Sequence, residues 1–154
     1  MNLGLYSLEN GIDKLKLEFK QDTIKLLNQY MALLIKWNKI YSLTAITNEQ
    51  QIIIYHLLDG LTVMNHLLPD LHNIIDVGSG MGVPGVIIAI CRPDINVWVI
   101  DCNSKKTAFL QQAAIELRLK NLHVACTKIE EYQPLVNYDM AISRAFSDAS
   151  SFLE

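Results

Sequence analysis

Cysteine is scarce in this sequence, and what there is does not pair. Cys91, Cys102 and Cys126 are odd in number, scattered, and contain no C-x-x-C. That argues against a disulfide framework or a zinc ribbon and suits a reduced, cytoplasmic compartment. Basic charge is also short: 13 Lys plus Arg stand against 16 Asp plus Glu, a net charge of −3. Wrapping of nucleic acid by bulk charge is therefore excluded, and any such binding has to come from a local patch. Long apolar runs are missing. The longest, Val83 to Cys91, falls far short of the roughly 18 residues a membrane span needs. The N-terminal stretch carries Glu9 and Asp13 and ends in no small-residue cleavage site, so no signal peptide is expected. His66, His72 and His123 have no metal-ligand spacing, and no metal is expected. Neither repeats nor low-complexity segments occur. What is present is apolar: 51% of the 154 residues are hydrophobic, enough to bury the core of one ordinary domain.

The first half has helical periodicity. Between Lys20 and Trp37 the residues Ile24, Leu27, Tyr30, Met31, Leu34, Ile35 and Trp37 recur every three or four positions, one face of a helix. Thr47 to Gln50 has capping-box spacing with Thr47 as the N-cap, which predicts a second helix from about Asn48 to Leu67, bounded by Pro69. The second half alternates. Strands are predicted at His72–Val77, Asn96–Ile100, Leu122–Cys126 and Tyr138–Ser143. Helices are predicted at Pro84–Ile90 and, capped by Ser104, at Lys105–Leu119. Strand, helix, strand, helix, strand means right-handed βαβ units and a parallel sheet. The expectation is an α/β chain, with a helical part over residues 1–68 and a Rossmann-like sheet part over 69–154. Ligands of such sheets sit at the carboxyl ends of the strands.

Four of the eight residues from Gly78 to Gly85 are glycine, at a strand-to-helix joint. Glycine tolerates positive φ and lets a ligand approach the backbone, and the following helix offers free N–H groups to an anion. Two ligands compete. Gly80-Met81-Gly82-Val83-Pro84-Gly85 formally matches the dinucleotide motif G-x-G-x-x-G, whereas Asp76-Val77-Gly78-Ser79-Gly80-Met81-Gly82 matches the acidic-x-G-x-G-x-G of S-adenosylmethionine loops. The second match fits better. Gly78 follows the strand directly, Asp76 is a carboxylate that a diphosphate would not want nearby, and Pro84 removes a donor that a diphosphate would need. Asp101 lies 23 residues after Gly78, at the end of the next strand. A carboxylate there suits a ribose hydroxyl pair, and both cofactors contain one.

Several segments together resemble a known family. Ile74 to Gly85 resembles I-D-V-G-x-G-x-G-x-P-G. Trp37-Asn38-Lys39-Ile40-Tyr41-Ser42-Leu43-Thr44 resembles W-N-K-x-Y-N-L-T, His56-Leu57-Leu58-Asp59 resembles H-x-x-D, and Ile142-Ser143-Arg144-Ala145-Phe146 resembles I-S-R-A-F. These are motifs of the glucose-inhibited division protein B group, the bacterial small-subunit rRNA guanine-N7 methyltransferases. The glycine motif is common to many methyltransferases; the other three together are far more specific. The resemblance covers about Ile35 to Phe146. It implies methyl transfer from S-adenosylmethionine to N7 of a guanine in 16S rRNA, in the cytoplasm, with the 30S subunit as partner. It places Gly78 and Val83 at the cofactor, Ile129 and Glu130 at its adenosine end, and Arg144 beside cofactor and substrate. Tyr55, Lys128 and Ser42 depart from the Arg, Arg and Asn that are usual at those positions. Family members also continue past the S-R-A-F segment with a further helix and more strands, so the resemblance implies a shortened version.

The residue types suit that chemistry. Guanine N7 has an in-plane lone pair and no proton, so no general base is needed, and no Cys-His or Ser-His-Asp set stands out. A nucleophilic role for Cys91 or Cys102 has no supporting motif. The expected site is Arg144 as the catalytic residue, with Gly78, Gly80, Val83, Asp101, Ile129, Glu130 and Arg144 around the cofactor. Lys105, Lys106 and Lys128 are the candidates for RNA phosphates. His56 and Asp59 are three apart and can meet on one helix face, either to anchor the helix on the sheet or to serve the substrate. Two other functions stay open: an NAD-dependent oxidoreductase, and a non-catalytic cofactor- or ribosome-binding fragment of a methyltransferase.

Overall fold

The computed structural model of the protein describes residues 7–144. Helix α1 (Leu8–Lys14) is capped by Ser7, whose side chain accepts from the Asn10 N–H. Helix α2 (Gln21–Tyr41) carries the expected apolar stripe, with Leu27, Tyr30, Leu33 and Leu34 buried, and ends at Ser42 in the left-handed region. Four strands follow: β1 (Asn73–Val77), β2 (Asn96–Asp101), β3 (Leu122–Cys126) and β4 (Met140–Ile142). They form one parallel sheet in the order β3-β2-β1-β4.

The sheet confirms the α/β expectation and shows its alternation. Ile74, Val97 and Val99 face one side and join the main core with α2, α5 (Gly85–Cys91) and α6 (Ser104–Glu116). Ile75, Val77, Trp98 and Ile100 face the other side. There the β3-to-β4 connection crosses, and Ile129, Tyr132 and Tyr138 pack on them. Trp98 stacks on His123 at 4.5 Å and meets Tyr138 edge-on at 5.3 Å. Because β2 and β3 lie on one flank of β1 and β4 on the other, the chain reverses at β1. In open α/β sheets the ligand crevice lies at such a reversal.

Four expectations need correction. Asn48, not Thr47, caps the second helical stretch, its side chain accepting from the Gln51 N–H. Asn103, not Ser104, caps α6, accepting from the N–H groups of Lys105 and Lys106. Asn is as good a cap as Ser or Thr, and in both cases the chain uses the residue next to the one expected. The continuous helix expected over 48–67 is broken. It runs as α3 (Glu49–Ile52), a π-helical turn (Ile53–Leu58), α4 (Asp59–Leu61) and a 3-10 turn (Thr62–His66). The stretch is pressed onto the core at Gly60, where a Cβ would stand 2.5 Å from Ile87 Cδ1 and 2.9 Å from Val83 Cγ1. The expected strand Tyr138–Ser143 shortens to Met140–Ile142, since β1 offers it only Ile74 to Asp76 as partners. The Ala145-Phe146 end of the S-R-A-F segment lies outside the described residues.

Candidate active site

The glycine loop is held by carboxylates. Gly78, Gly80 and Gly82 all have positive φ, at 68°, 58° and 96°, a region where side chains other than glycine's are strained. Asp76, fully buried at the end of β1, uses Oδ2 to accept from Ser79 Oγ at 2.9 Å and from the Gly85 N–H at 2.8 Å. It ties the loop to the start of α5. Gly85 permits this, because a Cβ there would lie 2.6 Å from that oxygen. Asp101, from the end of β2, accepts from the Gly80 N–H at 2.9 Å. Tyr30 reaches in from α2: its buried hydroxyl donates to the Met81 carbonyl at 2.7 Å. The Ser79 and Gly82 N–H groups bond to the carbonyls of Ile100 and Ser79.

Much of the loop's donor capacity is thus spent inside the protein. A diphosphate would find Ser79, Gly80, Gly82 and Gly85 already committed, two of them to carboxylates. Burial pushes the Asp76 carboxyl up to about 6, against the Ser79 and Gly85 hydrogen bonds that pull it down. Its Oδ1 is buried with no partner among the described residues, an acceptor that a cationic group or a bound water would complete.

Beside the loop lies a cleft of about 420 Å³ between the carboxyl ends of β1, β2 and β3. Val77, Ile100 and Ile129 form its apolar walls, Gly78 its floor, and Asp101 and Glu130 its carboxylates; Lys128 lines it as well. The volume falls in the range of small-molecule sites. Gly78, Asp101, Ile129 and Glu130 are therefore brought together as expected. Gly80 is in the loop outside this lining, with open space where a Cβ would be. Val83 is buried against the core. Lys128 belongs to this cleft, whereas Lys105 and Lys106 stand in the first turn of α6.

Arg144 follows β4. Because Asp76 pairs with Ile142, Arg144 is level with Gly78 across the sheet. Its Nη1 donates to the Tyr55 carbonyl and to Asp59 Oδ2, both at 3.2 Å, and its Nη2 donates to His56 Nδ1 at 3.2 Å. His56 and Asp59 thus meet through Arg144, across the joint between the helical part and the sheet. His56 Nε2 lies 2.8 Å from Thr44 Oγ1, and the Thr44 N–H donates to Asn38 Oδ1 at 2.8 Å. The segments W-N-K…L-T, H-x-x-D and S-R are consequently one connected network. Sequence reading recognised these segments as motifs and missed Asn38 and Thr44 as functional candidates. Periodicity places Tyr30 on the apolar face of its helix, and nothing in it marks a hydroxyl aimed at the loop. Burial pushes the Cys91 thiol up to about 12, which removes it as a nucleophile at neutral pH. Among the described residues no group of His, Cys, Asp and Glu is arranged to hold a metal, and no helix is long and apolar enough to cross a membrane.

A parallel sheet with its crevice at the reversal, an acidic-x-G-x-G-x-G loop and a strand-end Asp define a Rossmann-like domain of the methyltransferase type. The solved structure of coclaurine N-methyltransferase, bound to N-methylheliamine and SAH, shares this fold with a TM-score of 0.52 and 15% identity, over 92% of this chain and 50% of that one. The family model for rRNA small subunit methyltransferase G, GidB, matches residues 23–154, and the chain belongs to that family. Relatives named ribosomal RNA small subunit methyltransferase G are 45% identical in Chromobacterium violaceum and 42% in Methylobacillus flagellatus. The alignments cover 100% and 96% of this chain and 73% and 71% of those relatives.

Proposed function

We propose that the chain transfers a methyl group from S-adenosylmethionine to N7 of a guanine in 16S rRNA, acting in the cytoplasm on the small ribosomal subunit. The observation that carries the cofactor choice is the carboxylate-locked glycine loop. Asp101 and Glu130 line the cleft, the buried Asp76 anchors the loop beside it, and the neighbouring backbone donors are largely satisfied, so the site favours a cation over a diphosphate. That counts against the NAD reading. S-adenosylmethionine, when bound, supplies a methyl group on a positively charged sulfur. Asp101 and Glu130 are the acceptors for ribose hydroxyls and the adenosine end, Ile129 packs on the base, and Gly78, Gly80 and Val83 shape the loop. The unpartnered Asp76 Oδ1 suits an ammonium or its water.

N7 attacks without losing a proton, so the residues have to bind, align and exclude water. The electron pair of N7 forms the new bond and the pair of the broken S–C bond stays on sulfur; no proton moves. Arg144 is the residue for the guanine O6 or a nearby phosphate, because both are acceptors for a guanidinium, while N7 keeps its one in-plane lone pair for the methyl group. Lys105, Lys106 and Lys128 are assigned to RNA phosphates. Two experiments test this. Titration calorimetry with S-adenosylmethionine and with NAD should show binding of the first only; tighter binding of NAD would sink the reading. Incubation with 16S rRNA or 30S particles and S-adenosylmethionine, followed by nucleoside mass spectrometry, should show 7-methylguanosine. Cofactor binding without that product would favour the non-catalytic module.

A further inference from the structure

We infer that His56 is a positioning residue for Arg144, accepting from the guanidinium at Nδ1 and giving its Nε2–H to Thr44, so that the guanidinium turns its remaining donors to the ligand. The inference rests on the proposed role of Arg144 and explains how that role is prepared.

A guanidinium has five N–H donors and no acceptor. Three are taken, by the Tyr55 carbonyl, Asp59 Oδ2 and His56 Nδ1. Among the described residues, the Nε–H and one Nη2 N–H are left without an acceptor. Since Arg144 can only donate, His56 Nδ1 must accept. The ring proton is then on Nε2 and is donated to Thr44 Oγ1. That hydroxyl oxygen also accepts from the Ile46 N–H at 3.2 Å.

The acceptor is itself fixed. The Thr44 N–H bonds to Asn38 Oδ1, and Asn38 Nδ2 donates to the Ile46 carbonyl at 3.2 Å. Asn38 is buried on α2, so the whole 44–46 turn is clamped to the longest helix. The π turn places His56 at the other end of this chain of bonds, 5% exposed. π turns of this kind occur often at functional sites.

The charged groups acting on His56 are Arg144, from the end of β4, and Asp59, from α4; Tyr55 contributes only its carbonyl. Burial and then the Arg144 charge hold the imidazole below its ordinary 6.5. Protonation would put an N–H on Nδ1, pointing at the N–H of a cation. Arg144 would lose that acceptor and gain a like charge. A histidine that merely packs between helices would not need a particular tautomer or respond to Arg144.

The test uses the full chain with 15N-labelled histidine. NMR of the unsubstituted protein should show the Nε2–H tautomer for neutral His56 and a titration midpoint below 6.5. Arg144→Ala should raise that midpoint toward 6.5. The Nδ1–H tautomer, or a midpoint indifferent to Arg144→Ala, would overturn the relay whatever the activity. In methylation assays His56→Leu should lower kcat/KM by about 10- to 100-fold, the scale of a small misplacement near reacting atoms. His56→Asn, which offers an acceptor that does not titrate, should retain most of the rate and lose the part of the acid fall-off due to His56. Full activity of His56→Leu beside an impaired Arg144→Ala would also overturn the relay. Full activity of Arg144→Ala would instead remove the proposed role of Arg144, and the NMR outcome would still report on the relay separately.

Discussion

The two sides of the crevice are built by different means. On the β1–β2 side, the cofactor loop is held by buried or half-buried carboxylates from strand ends and by a tyrosine from α2, each bonded to loop backbone. On the β4 side, Arg144 is a partly exposed side chain held by other side chains and one carbonyl, all from the stretch around the π turn. Backbone-held geometry resists change because buried amides and carbonyls demand partners. Side-chain-held geometry can be reset by protonation or by a ligand that competes for the same donors. The first side is suited to a cofactor that is always the same, the second to a macromolecule that has to be admitted and released.

Breaking the first side should have the largest effect. Asp76→Ala leaves the Gly85 N–H and Ser79 Oγ without their acceptor. It should cost about 2–4 kcal/mol of stability, the sum of a charged hydrogen bond and a stranded buried donor. It should also abolish S-adenosylmethionine binding, as read by denaturant unfolding and calorimetry. Arg144→Ala sharpens the contrast. Its ion pair with Asp59 is exposed, so stability should change by less than about 1 kcal/mol, while kcat/KM should fall about 100-fold. Equal losses in both variants, in both measurements, would erase the distinction between the two sides.

Tyr30→Phe is the intermediate case. Removing the hydroxyl that donates to the Met81 carbonyl should cost about 1 kcal/mol, with weaker cofactor binding as the second readout. A stability loss with unchanged cofactor affinity would mean that Tyr30 is only core. Acid separates the two sides differently. The Asp76 carboxyl is pushed up to about 6, so the folded state binds its proton more readily than the unfolded chain does. Its effect on folding therefore runs against the usual carboxylate sign: stability from this group falls as pH rises from the ordinary carboxylate value of 3.8 to about 6 and is level above. Cofactor affinity should move the other way, weakening below pH 6 as the negative charge is lost. Asp76→Asn should flatten that part of the profile.

The smallest effect is expected from Lys105→Ala and Lys106→Ala. Each removes a positive charge from the first turn of α6, where it opposes the helix dipole, and should stabilise by about 0.3 kcal/mol or more. RNA affinity should fall and become less sensitive to salt. Unchanged RNA binding would withdraw both lysines from the substrate side.

The sequence made the sheet legible because its signals are local and periodic. Leu122–Cys126 matched residue for residue, and Asn96–Ile100 ended one residue early. The glycine loop and Asp101 were legible for a similar reason, since spacing along two neighbouring strands maps directly onto the crevice. The substrate side was legible only as motifs. Nothing in the sequence says that Asn38, Thr44, His56 and Arg144 touch, because their contacts span up to 88 residues and depend on packing. The broken helix was missed because apolar periodicity does not distinguish an α turn from a π turn over a few residues.

The π turn has a consequence for how this region tolerates change. An α-helix advances about 100° per residue, and a π turn accommodates one residue more than its α equivalent. Removing any single residue from Ile53–Leu58 would let the stretch relax into continuous α-helix. The segments on either side would keep their orientation, because the extra residue is what the π turn absorbs, whereas the same deletion in Gln21–Tyr41 would turn the residues before it by about 100° relative to those after it. What is lost is the widened turn itself, and with it the placing of His56. In a one-residue deletion scan, folding should survive deletions within Ile53–Leu58 better than deletions within Gln21–Tyr41, while activity is lost in both.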